Sequence, residues 1–126
     1  MSSPKILVVD DSRFMRNIVC STLQSAGFDV VDAEDGEKAL ASVAEHQPDS
    51  ILTDMLMPNM DGLEFLRHLR AGEYAETPVI VLSADIQEST KSECDRMNVF
   101  RFLNKPCEEN EIISSVNESL QKATTA

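Results

Sequence analysis

The sequence predicts an α/β fold: a doubly wound, five-stranded parallel sheet with helices on both faces. Three observations lead there. Strand-like and helix-like segments alternate five times along the 126 residues, as they do when helical crossovers join parallel strands. The runs Ile6-Leu7-Val8-Val9 and Val79-Ile80-Val81-Leu82 are continuously apolar, as central strands covered on both faces must be. Four of the strand-like runs end on polar residues, at Asp10-Asp11, Asp54, Ser83 and Lys105. Ligands of parallel sheets bind just beyond the carboxyl ends of the strands.

The first strand, Ile6 to Val9, runs into Asp10-Asp11-Ser12. A helix follows in which Phe14, Met15, Ile18, Val19, Thr22 and Leu23 form i,i+4 pairs, with Gly27 placed to end it. Phe28 to Asp32 is a mixed, weaker strand. Asp35 can cap a second helix with Ala39, Leu40, Val43 and Ala44 on its inner face. Ser50-Ile51-Leu52-Thr53 is the third strand and ends on Asp54. The loop Met57-Pro58-Asn59-Met60-Asp61-Gly62 leads to a helix built on Leu63, Phe65, Leu66 and Leu69. After the Val79 strand and Ser83 comes a polar helix, about Gln87 to Met97, with large apolar residues only near its ends. Asn98 tolerates the left-handed conformation that a helix stop wants. Val99 to Asn104 is the fifth strand, ahead of Lys105-Pro106. The last helix opens with Glu108-Glu109, favourable at the positive end of its dipole, and buries Ile112, Ile113, Val116 and Leu120. Ala123 to Ala126 reads as a frayed tail. The Phe28 and Val99 strands carry charge, as edges do. The flavodoxin-like order 2-1-3-4-5 puts both at edges and makes strands 1 and 3 neighbours at the topological switch point. Asp10, Asp11 and Asp54 then sit side by side.

The whole chain, 1–126, suits a single domain with its core at about residues 5–122, and no output domain is expected after Leu120. A hydrophobic fraction of 42% is enough for a packed core. No apolar run approaches the roughly 20 residues of a membrane span, and the start leaves no room for a signal peptide. The formal charge of −11 argues against direct contact with nucleic acid and against anionic membranes; it suits divalent cations and basic protein surfaces. Cys20, Cys94 and Cys107 have no metal-ligand spacing and read as free thiols of a cytoplasmic protein.

The site predicted at the strand ends holds three carboxylates, a hydroxyl and an ammonium. Two carboxylates about 4 Å apart repel by roughly 4 kcal/mol at an effective dielectric of 20. A hard divalent cation relieves that repulsion, and magnesium prefers a few carboxylates together with water and phosphate oxygens. Lys105 adds positive charge, so the assembly can hold a phosphoryl group. Asp54 stands alone at its strand end and is the natural nucleophile; Ser83 can donate a hydrogen bond to a phosphoryl oxygen. Singly, each feature has an ordinary reading: Asp10-Asp11-Ser12 as a helix cap, Asp54 as a turn residue, Ser83 and Lys105-Pro106 as loop chemistry. Their conjunction at alternate β-segments favours the phosphate site. His46 and His68, near helix C-termini, read as surface residues, and the six methionines as core and loop filler.

Val8-Val9-Asp10-Asp11-Ser12, the stretch from Asp54 to Gly62, Leu82-Ser83-Ala84 and Phe102-Leu103-Asn104-Lys105-Pro106 match, in order and spacing, the motifs of one family. From Lys5 to Leu120 the chain resembles a receiver domain of the bacterial two-component response regulators. The Phe14-Met15-Arg16 run resembles chemotaxis-type single-domain members, one of which is a known example of the 2-1-3-4-5 order. The resemblance implies that Asp54 accepts a phosphoryl group from a phosphohistidine of a sensor histidine kinase or histidine phosphotransfer protein. It implies that Asp11, Asp54 and the Leu56 carbonyl ligate Mg2+, with Asp10 acting through a water. Lys105 and Ser83 would hold the phosphoryl oxygens, and Phe102 would rotate inward when Ser83 shifts. A downstream protein would dock on the face formed by the polar helix after Ser83, the Val99 strand and the last helix. The resemblance further implies a cis Lys105–Pro106 bond, a monomer with dimerisation on activation as the open alternative, and a tuning of phosphoryl lifetime by Leu56 and Asp85. The protein would signal through magnesium-dependent self-phosphorylation and self-dephosphorylation and would not be an enzyme. Ser83 in place of the more frequent threonine keeps the hydroxyl.

Other functions fit less well. A dehalogenase-type phosphatase needs a second aspartate two residues after its nucleophile, where this chain has Leu56. In a flavodoxin, Asp10-Asp11 would repel the flavin phosphate. A phosphorylation-independent interaction module of the same fold would be expected to lack a site residue, and none is lacking.

Overall fold

A computed structural model describes residues 3–84 and 87–124. The elements in order are β1 (Lys5–Val9), α1 (Arg13–Ser25), β2 (Asp29–Ala33), α2 (Gly36–His46), β3 (Ser50–Thr53), α3 (Gly62–Ala71), β4 (Val79–Ser83), α4 (Glu88–Arg96), β5 (Arg101–Asn104) and α5 (Glu109–Thr124). The strands form one parallel sheet in the order β2-β1-β3-β4-β5. Val9 lies between Ala33 and Thr53, Thr53 pairs with Val81, and Ser83 pairs with Asn104. The carboxyl ends of the strands are thereby aligned along one rim.

The alternation of side chains along each strand feeds two cores. Leu7, Val9, Ile51, Val79 and Val81 pack with Ala39, Val43, Phe65, Leu66, Leu69 and Cys94, from α2, α3 and α4. Ile6, Val8, Leu52, Ile80 and Leu82 pack with Val19, Leu23, Ile112 and Val116, from α1 and α5. The three central strands are buried at every position except Lys5.

Helix boundaries follow side-chain chemistry. Ser12, Asp35 and Asp61 cap α1, α2 and α3, accepting from the amides of Met15, Lys38 and Glu64. Past α1, Gly27 takes φ 95°, with Gly27 N–H donating to Gln24 and Phe28 N–H to Leu23. That is the closing pattern of a Schellman motif. Asn98, at φ 58°, repeats it after α4, with Asn98 N–H on Asp95 and Val99 N–H on Cys94.

The second motif corrects the expected start of the fifth strand. Val99 spends its amide closing α4, so the ladder of β5 begins at Arg101, although Phe100 N–H already reaches the Val79 carbonyl at 2.8 Å. Ala44 is exposed and Ile113 is half-buried, because the cores take Ala39, Val43, Ile112 and Val116 first. The apolar arc of α1 is wider than the sheet and α5 can cover: Val19 and Leu23 are buried, whereas Phe14 is 73% exposed and Ile18 42%. The expected frayed tail is helical through Thr124; Thr125 and Ala126, like Asp85, lie outside the described residues. His68 is exposed and His46 half-buried, both in the last turns of their helices as expected.

Candidate functional site

At the rim Asp10 continues β1 and Asp54 continues β3, and the Asp54 amide donates to the Val9 carbonyl at 2.9 Å. Carboxylate oxygens of Asp10, Asp11 and Asp54 lie within 4.8 Å of one another. Asp10 and Asp54 are buried and Asp11 is exposed. Lys105 comes in from the end of β5, positioned by the hydrogen bond its backbone N–H donates to the Ser83 carbonyl at 2.9 Å. Its Nζ donates to Asp10 Oδ2 at 2.8 Å and Asp54 Oδ2 at 3.0 Å. Burial disfavours the ammonium. The hydrogen bonds and negative charges of Asp10 and Asp54 outweigh that, and the Lys105 pKa lies above the ordinary lysine value.

The other oxygens face backbone donors. Asp54 Oδ1 accepts from Met55 N–H at 2.7 Å and Leu56 N–H at 3.4 Å. Asp10 Oδ1 accepts from Ser12 N–H at 2.9 Å. The helix cap after β1 is therefore Ser12, which leaves both aspartates to the cluster. Gly62 allows α3 to begin against the end of β3: a Cβ there would lie 2.3 Å from the Asp54 carbonyl oxygen.

The remaining predicted residues stand on β4, on β5 and in the loop after β3. Ser83 is buried at the end of β4. Phe102 is half-buried and packs against the α2-α3-α4 side of the sheet. The Leu56 side chain is 67% exposed, so it stands at the open rim and does not roof the carboxylates. The Lys105–Pro106 peptide is cis.

Three carboxylates against one ammonium leave a formal excess of two negative charges. All the donors are hard oxygens at a partly open site, a set that fits a small divalent cation. Among the described residues this is the only acidic, histidine or cysteine cluster compact enough to hold one. The cysteines are free. Burial raises the thiols of Cys20 and Cys94 to about 11 and that of Cys107 to about 12, so none offers a thiolate near neutrality.

Three contacts escaped sequence reasoning. Arg16 reaches from α1 to the Asp10 carbonyl at 2.7 Å and to Asp32 at 2.8 Å. Asp35 not only caps α2 but accepts from Asn59 Nδ2 at 3.0 Å, fastening the loop after Asp54. Arg70 donates to the carbonyls of Ala75, Thr77, Met97 and Asn98. Each is a contact across elements, to backbone in two cases. The only signal in the sequence was for Arg16, which lies one helical turn past the Ser12 cap, where a long side chain can turn back to the strand end.

Comparison with known proteins agrees with this geometry. The response regulator receiver domain family matches residues 6–117. Chemotaxis protein CheY of Bacillus subtilis is 33% identical over 117 residues, covering 92% of this chain and 97% of that protein. A response regulator receiver protein from Pseudomonas putida superposes with a TM-score of 0.90 at 30% identity, covering 94% of this chain and 98% of that one. Chemotaxis response regulator CheY4 of Vibrio cholerae does so with a TM-score of 0.87 at 33% identity, over 94% and 100%. The phosphate regulon transcriptional regulatory protein PhoB of Pseudomonas aeruginosa is 28% identical over 97% of this chain, which spans only 54% of that regulator. Among the described residues, no helix is long and apolar enough to cross a membrane. With its receiver motifs, its strand order and its rim of acidic residues facing one lysine, the chain belongs to the response regulator receiver domain family.

Proposed function

We propose that this receiver accepts a phosphoryl group on Asp54 from a phosphohistidine and uses it to switch the binding of a partner. The observation that carries the reading is the meeting of Asp10, Asp11 and Asp54 around a single lysine at the carboxyl ends of the strands. An Asp54 carboxylate oxygen attacks phosphorus; the new O–P bond forms as the N–P bond of the donor breaks, and the ring, protonated beforehand on its other nitrogen, leaves with that electron pair as neutral imidazole. Asp11, Asp54 and the Leu56 carbonyl would hold Mg2+, with Asp10 acting through a water. When bound, the ion offsets the excess negative charge and draws in the phosphoryl oxygens. Lys105 keeps its bond to Asp10 and turns its other donors from Asp54 to the phosphoryl group. Ser83 donates its hydroxyl to a second phosphoryl oxygen. Catalysis by these groups is positioning and charge neutralisation.

The donor is a sensor histidine kinase or a histidine phosphotransfer protein. Phe14, Ile18 and Leu56 are the exposed large apolar residues among those described; they follow Asp11 and Asp54 closely in the chain and supply apolar contact for such a donor. The response runs from Ser83 to Phe102, which shifts inward, and on to the α4-β5-α5 face, where the downstream protein docks. α4 is suited to move: it buries only Cys94 and has no side-chain cap at its N-terminus. Free thiols suit the cytoplasm. The same fold acting without phosphorylation is the competing reading. Beryllofluoride, which stands in for the phosphoryl group, separates the two. With magnesium present it should shift amide resonances at the Asp54 rim and at α4. Unchanged spectra with both added would favour the phosphorylation-independent module.

A further inference from the structure

The three carboxylates of the cluster are not held equally. Asp54 is fixed by two backbone amides and Lys105, and Asp10 by Ser12 N–H and Lys105. Asp11 is exposed, and its side chain accepts no hydrogen bond among the described residues. Its direction therefore depends on the backbone that carries it. Two side chains hold that backbone: the Asp10 carboxylate, which spans Asp11 by accepting from Ser12 N–H, and Arg16. Arg16 Nη1 donates to the Asp10 carbonyl at 2.7 Å, and so grips the peptide that joins Asp10 to Asp11. Arg16 Nε donates to Asp32 Oδ2 at 2.8 Å on the neighbouring strand, with the Arg16 side chain only 14% exposed. Asp10 N–H completes the frame on the Ala33 carbonyl at 3.1 Å.

We infer that Arg16 is a positioning residue for the divalent cation, acting by setting the Asp10–Asp11 peptide and thereby aiming the Asp11 carboxylate. The inference rests on the phosphoacceptor reading above, in which Asp11 is a metal ligand. The chemistry needs arginine. Two nitrogens in a rigid fork must meet a carbonyl on one side and a carboxylate on the other, which the point charge of a lysine cannot do at once. Asp32 has a second effect. An unpaired cation behind the site would compete with the metal for the carboxylates, and the Asp32 charge cancels it. Groups that orient metal ligands commonly change affinity by about tenfold or more when removed.

The sign of the effect separates this role from plain electrostatics. Removing a positive charge near three carboxylates should, by charge alone, tighten magnesium binding. If Arg16 orients Asp11, Arg16→Met should weaken it by about tenfold, and Arg16→Lys, which keeps the charge, should weaken it similarly. Magnesium is titrated calorimetrically into the whole protein, with thermal unfolding confirming that each variant is folded. In an Asp11→Ala background, Arg16→Met should bring no further loss, because the ligand it aims is gone. Equal or tighter binding in Arg16→Met would overturn the inference, as would an undiminished further loss in the Asp11→Ala background. If the wild-type protein binds no magnesium, the phosphoacceptor reading fails and this inference falls with it.

Discussion

On the proposed reading, the Leu56 side chain at the rim bears on how long a phosphoryl group stays on Asp54. Hydrolysis of an acyl phosphate on Asp54 needs a water in line with the O–P bond. Leu56 is 67% exposed beside Asp54 and, being apolar, cannot orient that water. Leu56→Asn places an amide at the same rim and should speed phosphoryl loss, measured as decay after the donor is removed. Equal or slower decay would mean that the side chain lies clear of the water path and only its backbone matters. The cluster of Asp10, Asp11, Asp54 and Lys105 was legible in the sequence, because these residues follow strand-like runs and strand ends are marked by the switch from apolar to polar; Leu56 and Phe102 entered only through the resemblance. Asn59 was not legible, and Arg16 only through its place one helical turn past the Ser12 cap. Their bonds go to a carbonyl and to a carboxylate on other elements, and nothing in local sequence records such a partner.

The loop after β3 and the start of α2 form a fastened pair. Asp35 caps α2 and holds Asn59, while Gly36 N–H donates to the Met60 carbonyl at 2.9 Å. Asp35→Ala removes a cap of about 1 kcal/mol and a further hydrogen bond of about the same size; urea unfolding near neutrality should show a loss of about 2 kcal/mol. The same carboxyl gives a pH dependence. The Lys38 amide, then Asn59, hold its pKa below the ordinary aspartate value against the opposing effect of burial. A carboxyl depressed in the fold stabilises it above the unfolded-chain pKa, and that stability is lost as pH falls through the folded pKa. Asp35→Asn keeps the cap but not the charge. Its deficit against wild type should therefore be present at neutral pH and shrink below about pH 4; a constant deficit would contradict the account. At this scale β1 and β4 were legible almost to the residue from their unbroken apolar runs, and β3 from the short Ser50-Ile51-Leu52-Thr53 run that ends on Asp54. The start of β5 was not, since the closing bonds of α4 claim Val99 and only the Asn98 signal hinted at them.

For the whole molecule, a formal charge of −11 means that the folded chain repels itself. Added salt should raise the thermal midpoint. Magnesium at matched ionic strength should raise it further by binding the native state alone. Asp11→Ala should lose the magnesium increment and keep the salt effect; retention of both would place the bound ion elsewhere. The strand order was legible because charged edges and apolar centres sort themselves in a parallel sheet. That order puts Asp54 beside Asp10 and Asp11, and the central claim is that Asp54 carries the signal. The most direct measurement is the intact mass after incubation with acetyl phosphate and magnesium. The wild-type protein should gain one phosphate and Asp54→Asn none; normal labelling of Asp54→Asn would show that the phosphoryl group sits elsewhere.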